Sequence, residues 1–142
     1  MNKSQPPSDN RNKWASVVVT CGAWLTGIGL VLLGLQCLVF SGAADGYGVS
    51  PIDEKGFAYL LATGMRDLSL GLITIYLLLC FRSALAIYFA LLIIIPFADA
   101  LIVLNYGNSV LSLAVHLVGV VGLCVITACA ALEQRSDIAD KV

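Results

Sequence analysis

Four long apolar stretches dominate the pattern of hydrophobic and polar positions along this chain. They run over residues 14–40, 56–81, 83–104 and 110–132. Each exceeds the ~20 residues that an α-helix needs to cross the ~30 Å hydrocarbon core of a bilayer. Because backbone groups in lipid must be paired within their own segment, each stretch is predicted to be a transmembrane helix. The predicted fold is therefore an all-α, integral membrane four-helix bundle.

Short polar segments flank and connect these stretches. Residues 1–13 are polar and are expected to form a disordered tail, and residues 133–142 form a polar C-terminal tail. The only sizeable loop, residues 41–55, ends in Ser50-Pro51, which predicts an N-cap followed by the first helical position. Ser109 is likewise expected to cap the fourth helix.

Lysine and arginine are distributed unevenly between the two sides of the predicted bundle. Six of them lie in the two tails and in the joint between the second and third spans, namely Lys3, Arg11, Lys13, Arg82, Arg135 and Lys141. Lys55 alone lies on the opposite side. The positive-inside rule therefore predicts cytoplasmic N- and C-termini. The first stretch is much longer than the ~7–15 apolar residues of a signal peptide, so we expect it to be a retained span.

Composition agrees with a membrane protein and gives no sign of nucleic-acid binding. Of the residues, 59% are hydrophobic and 12% are charged, and the formal net charge is −1. The five cysteines lie in or at the ends of the spans without CxxC or zinc spacing. The single histidine has no partner at metal-ligand spacing, so neither a metal nor another cofactor is expected.

Five polar side chains interrupt the apolar stretches: Gln36, Arg66, Asp67, Asp99 and His116. A charge at the centre of a span costs about 2.5–3.5 kcal/mol, so such residues are expected to face the bundle interior. At ~1.5 Å per residue, all five lie ~6–15 Å from the non-cytoplasmic ends of their spans. Because the spans alternate in direction, this shared depth predicts a single polar pocket that opens toward the non-cytoplasmic face.

Helical phase predicts which of these side chains interact. Arg66 and Asp67 are consecutive and ~100° apart, so they are not expected to pair well with each other. Asp99 is the expected partner of Arg66, and His116 that of Asp67. Pro96, one turn before Asp99, predicts a kink in the third span. Several glycines are expected to allow close contact between helices, namely Gly22, Gly27, Gly29, Gly34, Gly64, Gly71 and Gly122.

Three segments of the chain resemble a known family. They are Gly64-Met65-Arg66-Asp67-Leu68-Ser69-Leu70-Gly71, Pro96-Phe97-Ala98-Asp99-Ala100-Leu101-Ile102-Val103-Leu104 and His116-Leu117-Val118-Gly119. Together they are similar to domain-of-unknown-function family 4267, small four-helix integral membrane proteins of fungi and bacteria. The resemblance covers roughly residues 25–132. It implies a multi-pass protein, of the endoplasmic reticulum if fungal and of the inner membrane if bacterial, and some fungal members are encoded in natural-product gene clusters.

The polar positions that match this family supply the parts of an acid–base catalyst. Like charges in a low-dielectric pocket cannot both ionise easily, so one aspartic acid is expected to stay protonated while arginine holds the other ionised. Asp67 and Asp99 would act as base and acid in either order, Arg66 would orient them, and His116 would assist. The expected substrate pocket is lined by Gln36, Tyr59, Thr63 and Ser112.

In residue types alone, this set is similar to the Asp-Arg-Asp arrangement of the soluble limonene-epoxide hydrolase family, which opens epoxides with a directly activated water. The likeness favours an epoxide hydrolase, a cyclase or an isomerase that acts on an apolar small molecule dissolved in the lipid bilayer.

Two other functions stay open. A buried ionic network could fix helix register in a non-catalytic scaffold or accessory subunit. A small proton-coupled carrier would use the same groups, but without internal repeats it would have to form a homo-oligomer.

Overall fold

The protein is almost entirely helical in the part of the chain that the structure describes. The computed structural model describes residues 8–40, 54–107 and 109–139. Its helices are α1 (Ser8–Val39), α2 (Glu54–Cys80), α3 (Leu85–Leu92), α4 (Ile94–Tyr106) and α5 (Val110–Ala139), with a 3₁₀ turn at Arg82–Ala84. Because α3 and α4 follow each other directly, the helices form four segments that are long and apolar enough to cross a membrane. The predicted all-α membrane fold is confirmed.

The helices extend beyond the apolar stretches at both ends of the chain. Helix α1 begins at Ser8, within the predicted polar tail. The last helix continues to Ala139, past the predicted end of the fourth span. At its start, Ser109 Oγ accepts a hydrogen bond from Ser112 N at 3.1 Å, which is the contact expected of an N-cap. The predicted cap at Ser50-Pro51 lies outside the described residues.

Helices α1 and α2 approach each other closely because glycines occupy both sides of their contact. A Cβ atom on Gly34 would lie 2.5 Å from the backbone nitrogen of Leu68. On Gly71 it would lie 2.6 Å from the carbonyl oxygen of Gly27. These obstacles are backbone atoms, which cannot rotate away as side-chain atoms can. In lipid, helix association depends on such close backbone approach, so these glycines fix the position of α2 against α1.

One end of the bundle is tied together by Arg82. Its Nε and Nη2 atoms donate to the two carboxylate oxygens of Glu133 at 2.9 and 3.2 Å, and Nη2 also reaches the carbonyl oxygen of Ser16 at 3.1 Å. The start of α1, the start of the third segment and the end of α5 therefore meet, as expected for helices that alternate in direction. The buried hydrophobic core, which includes Leu85 and Phe89, lies in the half of the bundle toward this end.

The third segment is interrupted next to Pro96. Helix α3 ends at Leu92 and α4 begins at Ile94, with a turn residue between them. Because Pro96 has no N–H group, it cannot donate to the carbonyl oxygen of Leu92, four residues before it. The hydrogen bond from Phe97 N to the Ile93 carbonyl, at 3.2 Å, resumes the ladder. The predicted irregularity is thus present, one turn before Asp99.

Candidate functional site

A cavity of about 440 Å³ lies between the four membrane segments. Gln36 from α1, Arg66 and Asp67 from α2, Asp99 from α4 and His116 from α5 all line it. Its volume falls within the ~300–1,000 Å³ that is typical of small-molecule sites. Residues that are distant in the sequence therefore meet around one space that is large enough for a ligand.

Arg66 bridges two carboxylates in this cavity. Its Nε atom donates to Asp67 Oδ1 at 2.9 Å, and its Nη2 atom donates to Asp99 Oδ2 at 3.2 Å. The predicted pairing of Arg66 with Asp99 is present. The expectation that Arg66 and Asp67 would not pair is wrong, because the long arginine side chain folds sideways and overcomes the ~100° between the two positions. One guanidinium thus holds two aspartates, one on its own helix and one on α4.

Asp67 is buried because it lies on the inward stripe of α2. Leu60, Gly64, Asp67, Gly71 and Thr74 recur at intervals of three or four residues, and all are buried. Asp67 itself is only 2% exposed. A buried carboxylate needs a charged or hydrogen-bonding partner, and Arg66 at the adjacent position supplies one. The glycine contacts with α1 therefore also set how deeply this carboxylate is buried.

His116 and Gln36 line the cavity without joining the ion pairs of Arg66. His116 is half-buried, and Gln36 is exposed. Among the described residues, no hydrogen bond or ion pair joins His116 to Asp67, so the predicted pairing of these two side chains is not formed. His116 is available to a ligand in the cavity and does not hold Asp67 in place.

Three residues that were expected to line the pocket lie elsewhere: Tyr59, Thr63 and Ser112. Tyr59 is 76% exposed on the outside of α2. Ser112 is buried, but its hydroxyl bonds to Ser109 Oγ at 3.0 Å as part of the helix cap. The structure therefore places Tyr59 on the surface and Ser112 in the helix cap, and neither these two nor Thr63 lines the cavity.

The wall of the cavity is mainly apolar, and part of it is open at the side of the bundle. Leu25 from α1 and Val118 from α5 line the cavity, yet they are 77% and 71% exposed. Gly29 and Gly122 also line it, and no described atom of another helix lies within 4 Å of a Cβ atom built on either. Close helix contact was predicted at both glycines and is not found, because both face this open space.

A second polar network, which the sequence did not suggest, lies one to two helical turns from Asp67, toward the end of the bundle that carries Arg82. The hydroxyl of Tyr88 donates to the carbonyl oxygen of Leu70 at 2.8 Å. Thr74, which is fully buried, places its hydroxyl 2.8 Å from the same tyrosine oxygen. Because Leu70 lines the cavity, this network fixes the cavity wall on α2 against α3. Threonine and tyrosine are common enough in apolar spans that neither gave a signal in the sequence.

Chemically, the site offers one cation and two carboxylates in an apolar, partly closed space. Asp99 retains 19% side-chain exposure and Arg66 35%, whereas the side chain of Asp67 retains 4%. A ligand in the cavity therefore has easier access to Asp99 and Arg66. Among the described residues, no group of three or more His, Cys, Asp and Glu side chains is arranged to hold a metal ion.

Comparison with known proteins places the chain in a family. Neither the curated proteins nor the solved structures gave a match. The sequence profile described as "Domain of unknown function (DUF4267)" matches residues 27–130, a range that contains Gln36, Arg66, Asp67, Asp99 and His116 of the cavity. The match covers well over half of the chain, so this protein, a multi-pass membrane protein by its helices, belongs to the DUF4267 family.

Proposed function

We propose that the protein is a membrane-embedded acid–base enzyme that opens an epoxide on an apolar natural-product intermediate. The observation that carries this proposal is the guanidinium of Arg66 between Asp67 and Asp99 on the wall of an apolar cavity. Such a cavity excludes bulk water and strengthens electrostatic interactions with a reacting group. The catalytic residues are Asp67 and Asp99, with Arg66 holding both and His116 within the same cavity.

The proposed reaction adds one water molecule across the epoxide. The ionised aspartate takes a proton from a water molecule as the water oxygen forms a bond to an epoxide carbon. The C–O bond of the ring breaks, and the protonated aspartate donates its proton to the departing oxygen. The two carboxyl groups exchange protonation states and are restored by one proton transfer between them. We assign the role of base to Asp67, whose carboxylate accepts a hydrogen bond from Arg66 at 2.9 Å. The acid is then the more exposed Asp99.

The same groups support cyclisation or isomerisation if the substrate supplies its own nucleophile or only rearranges. In a cyclase, a hydroxyl of the substrate replaces water and gives up its proton to the same base. In an isomerase, one carboxyl group removes a proton from carbon and the other returns a proton to another atom of the substrate. All three reactions require both carboxyl groups, and only the hydrolase consumes water.

A second candidate, a non-catalytic scaffold or accessory subunit, is favoured by one contact. The bond from Arg66 Nη2 to Asp99 Oδ2 links α2 to α4, and partly buried ionic contacts of this kind can fix how helices pack. A scaffold needs these ion pairs for folding only. A scaffold does not require an open cavity beside the ion pairs, and for that reason we prefer the enzyme.

We also propose that both termini lie in the cytoplasm. Among the described residues, Lys13, Arg82 and Arg135 lie at the end of the bundle where Ser16 and Glu133 meet. The positive-inside rule favours this end for the cytoplasm. The membrane is proposed to be the endoplasmic reticulum in a fungus and the inner membrane in a bacterium. With this orientation, Asp67 and Asp99 lie toward the non-cytoplasmic side.

Turnover of lipid-soluble epoxides by the purified protein tests the enzyme proposal. Wild-type protein in liposomes is given epoxyhexadecane, limonene oxide or squalene oxide, and the diol is measured by mass spectrometry. We expect diol from at least one of the three. Asp67→Asn and Asp99→Asn should each slow its formation by about a hundredfold or more, the usual contribution of a general acid or base.

Ser69→Ala is the matched control for these variants. Ser69 is exposed on α2, its hydroxyl bonds to the Met65 carbonyl oxygen, and it does not line the cavity. Its activity should equal that of the wild type. Wild-type protein that converts none of the three epoxides, while remaining folded, contradicts the proposal and favours a scaffold.

A further inference from the structure

The cavity extends well beyond its ionisable groups. On α1 its lining residues run from Gln36 to Leu25, and on α5 they run from Val115 to Ile126. Each run covers eleven residue steps, or ~16 Å along the helix axis. This length is close to half of the ~30 Å hydrocarbon core. The charged groups lie at one end of this space, and the other end is lined by apolar residues together with Thr26.

The two open glycines lie along the apolar part. Gly29 is seven residues from Gln36 and Gly122 is six residues from His116, so both lie ~10 Å from the polar end. A Cβ atom on either would meet no described atom of another helix within 4 Å. In contrast, the glycines of the α1–α2 contact would meet backbone atoms. Gly29 and Gly122 therefore leave space in the cavity and do not bring helices together.

The charges limit the polar end of a ligand. Arg66 already bonds to Asp67 and Asp99, so an anionic head group would add a further negative charge beside an arginine that already has counter-ions. A cationic head group would have to compete with the guanidinium for the same carboxylates. An uncharged oxygen, as in an epoxide, hydroxyl or carbonyl group, can accept a hydrogen bond here without either penalty.

We infer that the ligand is an elongated molecule with one uncharged, oxygen-bearing end at Arg66 and Asp99 and an apolar tail between Gly29 and Gly122. The tail points toward the end of the bundle that carries Arg82. The molecule enters sideways from the bilayer between α1 and α5, where the lining residues Leu25 and Val118 are exposed. This inference rests on the proposed function for the substrate's reacting group, and it adds the shape of the substrate and the residues that select its length.

Photolabelling tests the tail position without requiring turnover. The probe is hexadecanol with a photoreactive diazirine at the tail end, given to the protein in lipid nanodiscs and mapped by mass spectrometry. We expect the label near Leu123 and Ile126, which line the apolar end of the cavity. An excess of unlabelled hexadecanol should remove this label. Label that is found only on the outer surfaces of the helices, or that is not displaced, overturns the inference.

Filling the space between Gly29 and Gly122 should weaken the binding of long ligands more than that of short ones. We expect Gly29→Leu and Gly122→Leu to lower labelling by the hexadecanol probe about tenfold relative to a hexanol probe, since one methylene too many in a pocket has an effect of this size. Val121→Leu is the control, because Val121 is 64% exposed and does not line the cavity. If labelling falls equally for both probes, or falls for neither, the tail does not lie at these glycines.

The labelling result and the turnover result are separable. Length-dependent labelling without diol formation supports this ligand shape and refutes the epoxide-opening proposal. Diol formation whose rate is equally affected for epoxyhexane and epoxyhexadecane in the Gly122→Leu variant supports the enzyme and refutes the tail site.

Discussion

Asparagine substitutions at Asp67 and Asp99, singly and together, test whether Arg66 and its two carboxylates form one ionic unit. Each carboxyl group bonds to a different nitrogen of Arg66, at 2.9 and 3.2 Å, so either one can ionise and neutralise the guanidinium when the other is replaced. Each single variant exchanges one charged hydrogen bond for a neutral one and should lower the free energy of unfolding by about 1 kcal/mol. The double variant leaves a half-buried arginine without a counter-ion, which should cost about 3–5 kcal/mol.

Reversible unfolding in mixed detergent micelles, followed by circular dichroism, gives the four free energies of this double-mutant cycle. The cost of the double variant should exceed the sum of the two single costs by at least about 1 kcal/mol. Ser69→Ala, on the same helix and away from the cavity, should stay close to the wild type. If the double variant costs no more than that sum, the two carboxylates do not share Arg66, and the reasoning about the site is refuted.

The two single variants also separate the enzyme from the scaffold. If the ion pairs serve catalysis, each single variant keeps most of its stability and loses nearly all activity, because the reaction needs both an acid and a base. If the ion pairs serve only packing, stability is the sole property that changes. Measuring stability and diol formation on the same preparations distinguishes the two cases.

Two further predictions concern the framework around the site. Gly71→Ala should lower the free energy of unfolding by about 1–3 kcal/mol, because its methyl group overpacks against the backbone of α1. Gly29→Ala should leave this free energy unchanged or raise it slightly, because Gly29 faces open space. Unfolding in mixed micelles measures both variants, and equal effects would contradict the difference in packing. Arg82→Gln should lower it by about 1 kcal/mol by breaking the ion pair at the end of the bundle. Arg135→Gln is the control, and the prediction fails if the two variants are equally stable.

Much of the fold and part of the site follow from the sequence because lipid imposes simple conditions. Length and hydropathy alone define the four spans, since no other structure satisfies the backbone in a bilayer. The cost of a charge in lipid then places Arg66, Asp67, Asp99 and His116 toward one another, because each must find a polar environment.

The rotation of each helix and the reach of its side chains could not be obtained in the same way. In lipid, the outward face of a helix is as apolar as its inward face, so hydrophobic periodicity does not reveal which residues face the cavity. Tyr59 and Thr63 were therefore assigned to the pocket although they do not line it. Gly29 could not be told apart from the contact glycine Gly34 for the same reason. The pairing of Arg66 with Asp67 was missed because phase describes where side chains begin and not how far they extend.

A single turnover of epoxyhexadecane in water labelled with heavy oxygen tests the proposed chemistry most directly. Wild-type protein in excess over the epoxide is quenched after one turnover, and the diol and the peptides that contain Asp67 and Asp99 are analysed by mass spectrometry. Direct attack by water predicts one heavy oxygen in the diol and none in either carboxyl group. An unlabelled diol with heavy oxygen in one aspartate, or epoxide left intact by folded protein, would contradict it.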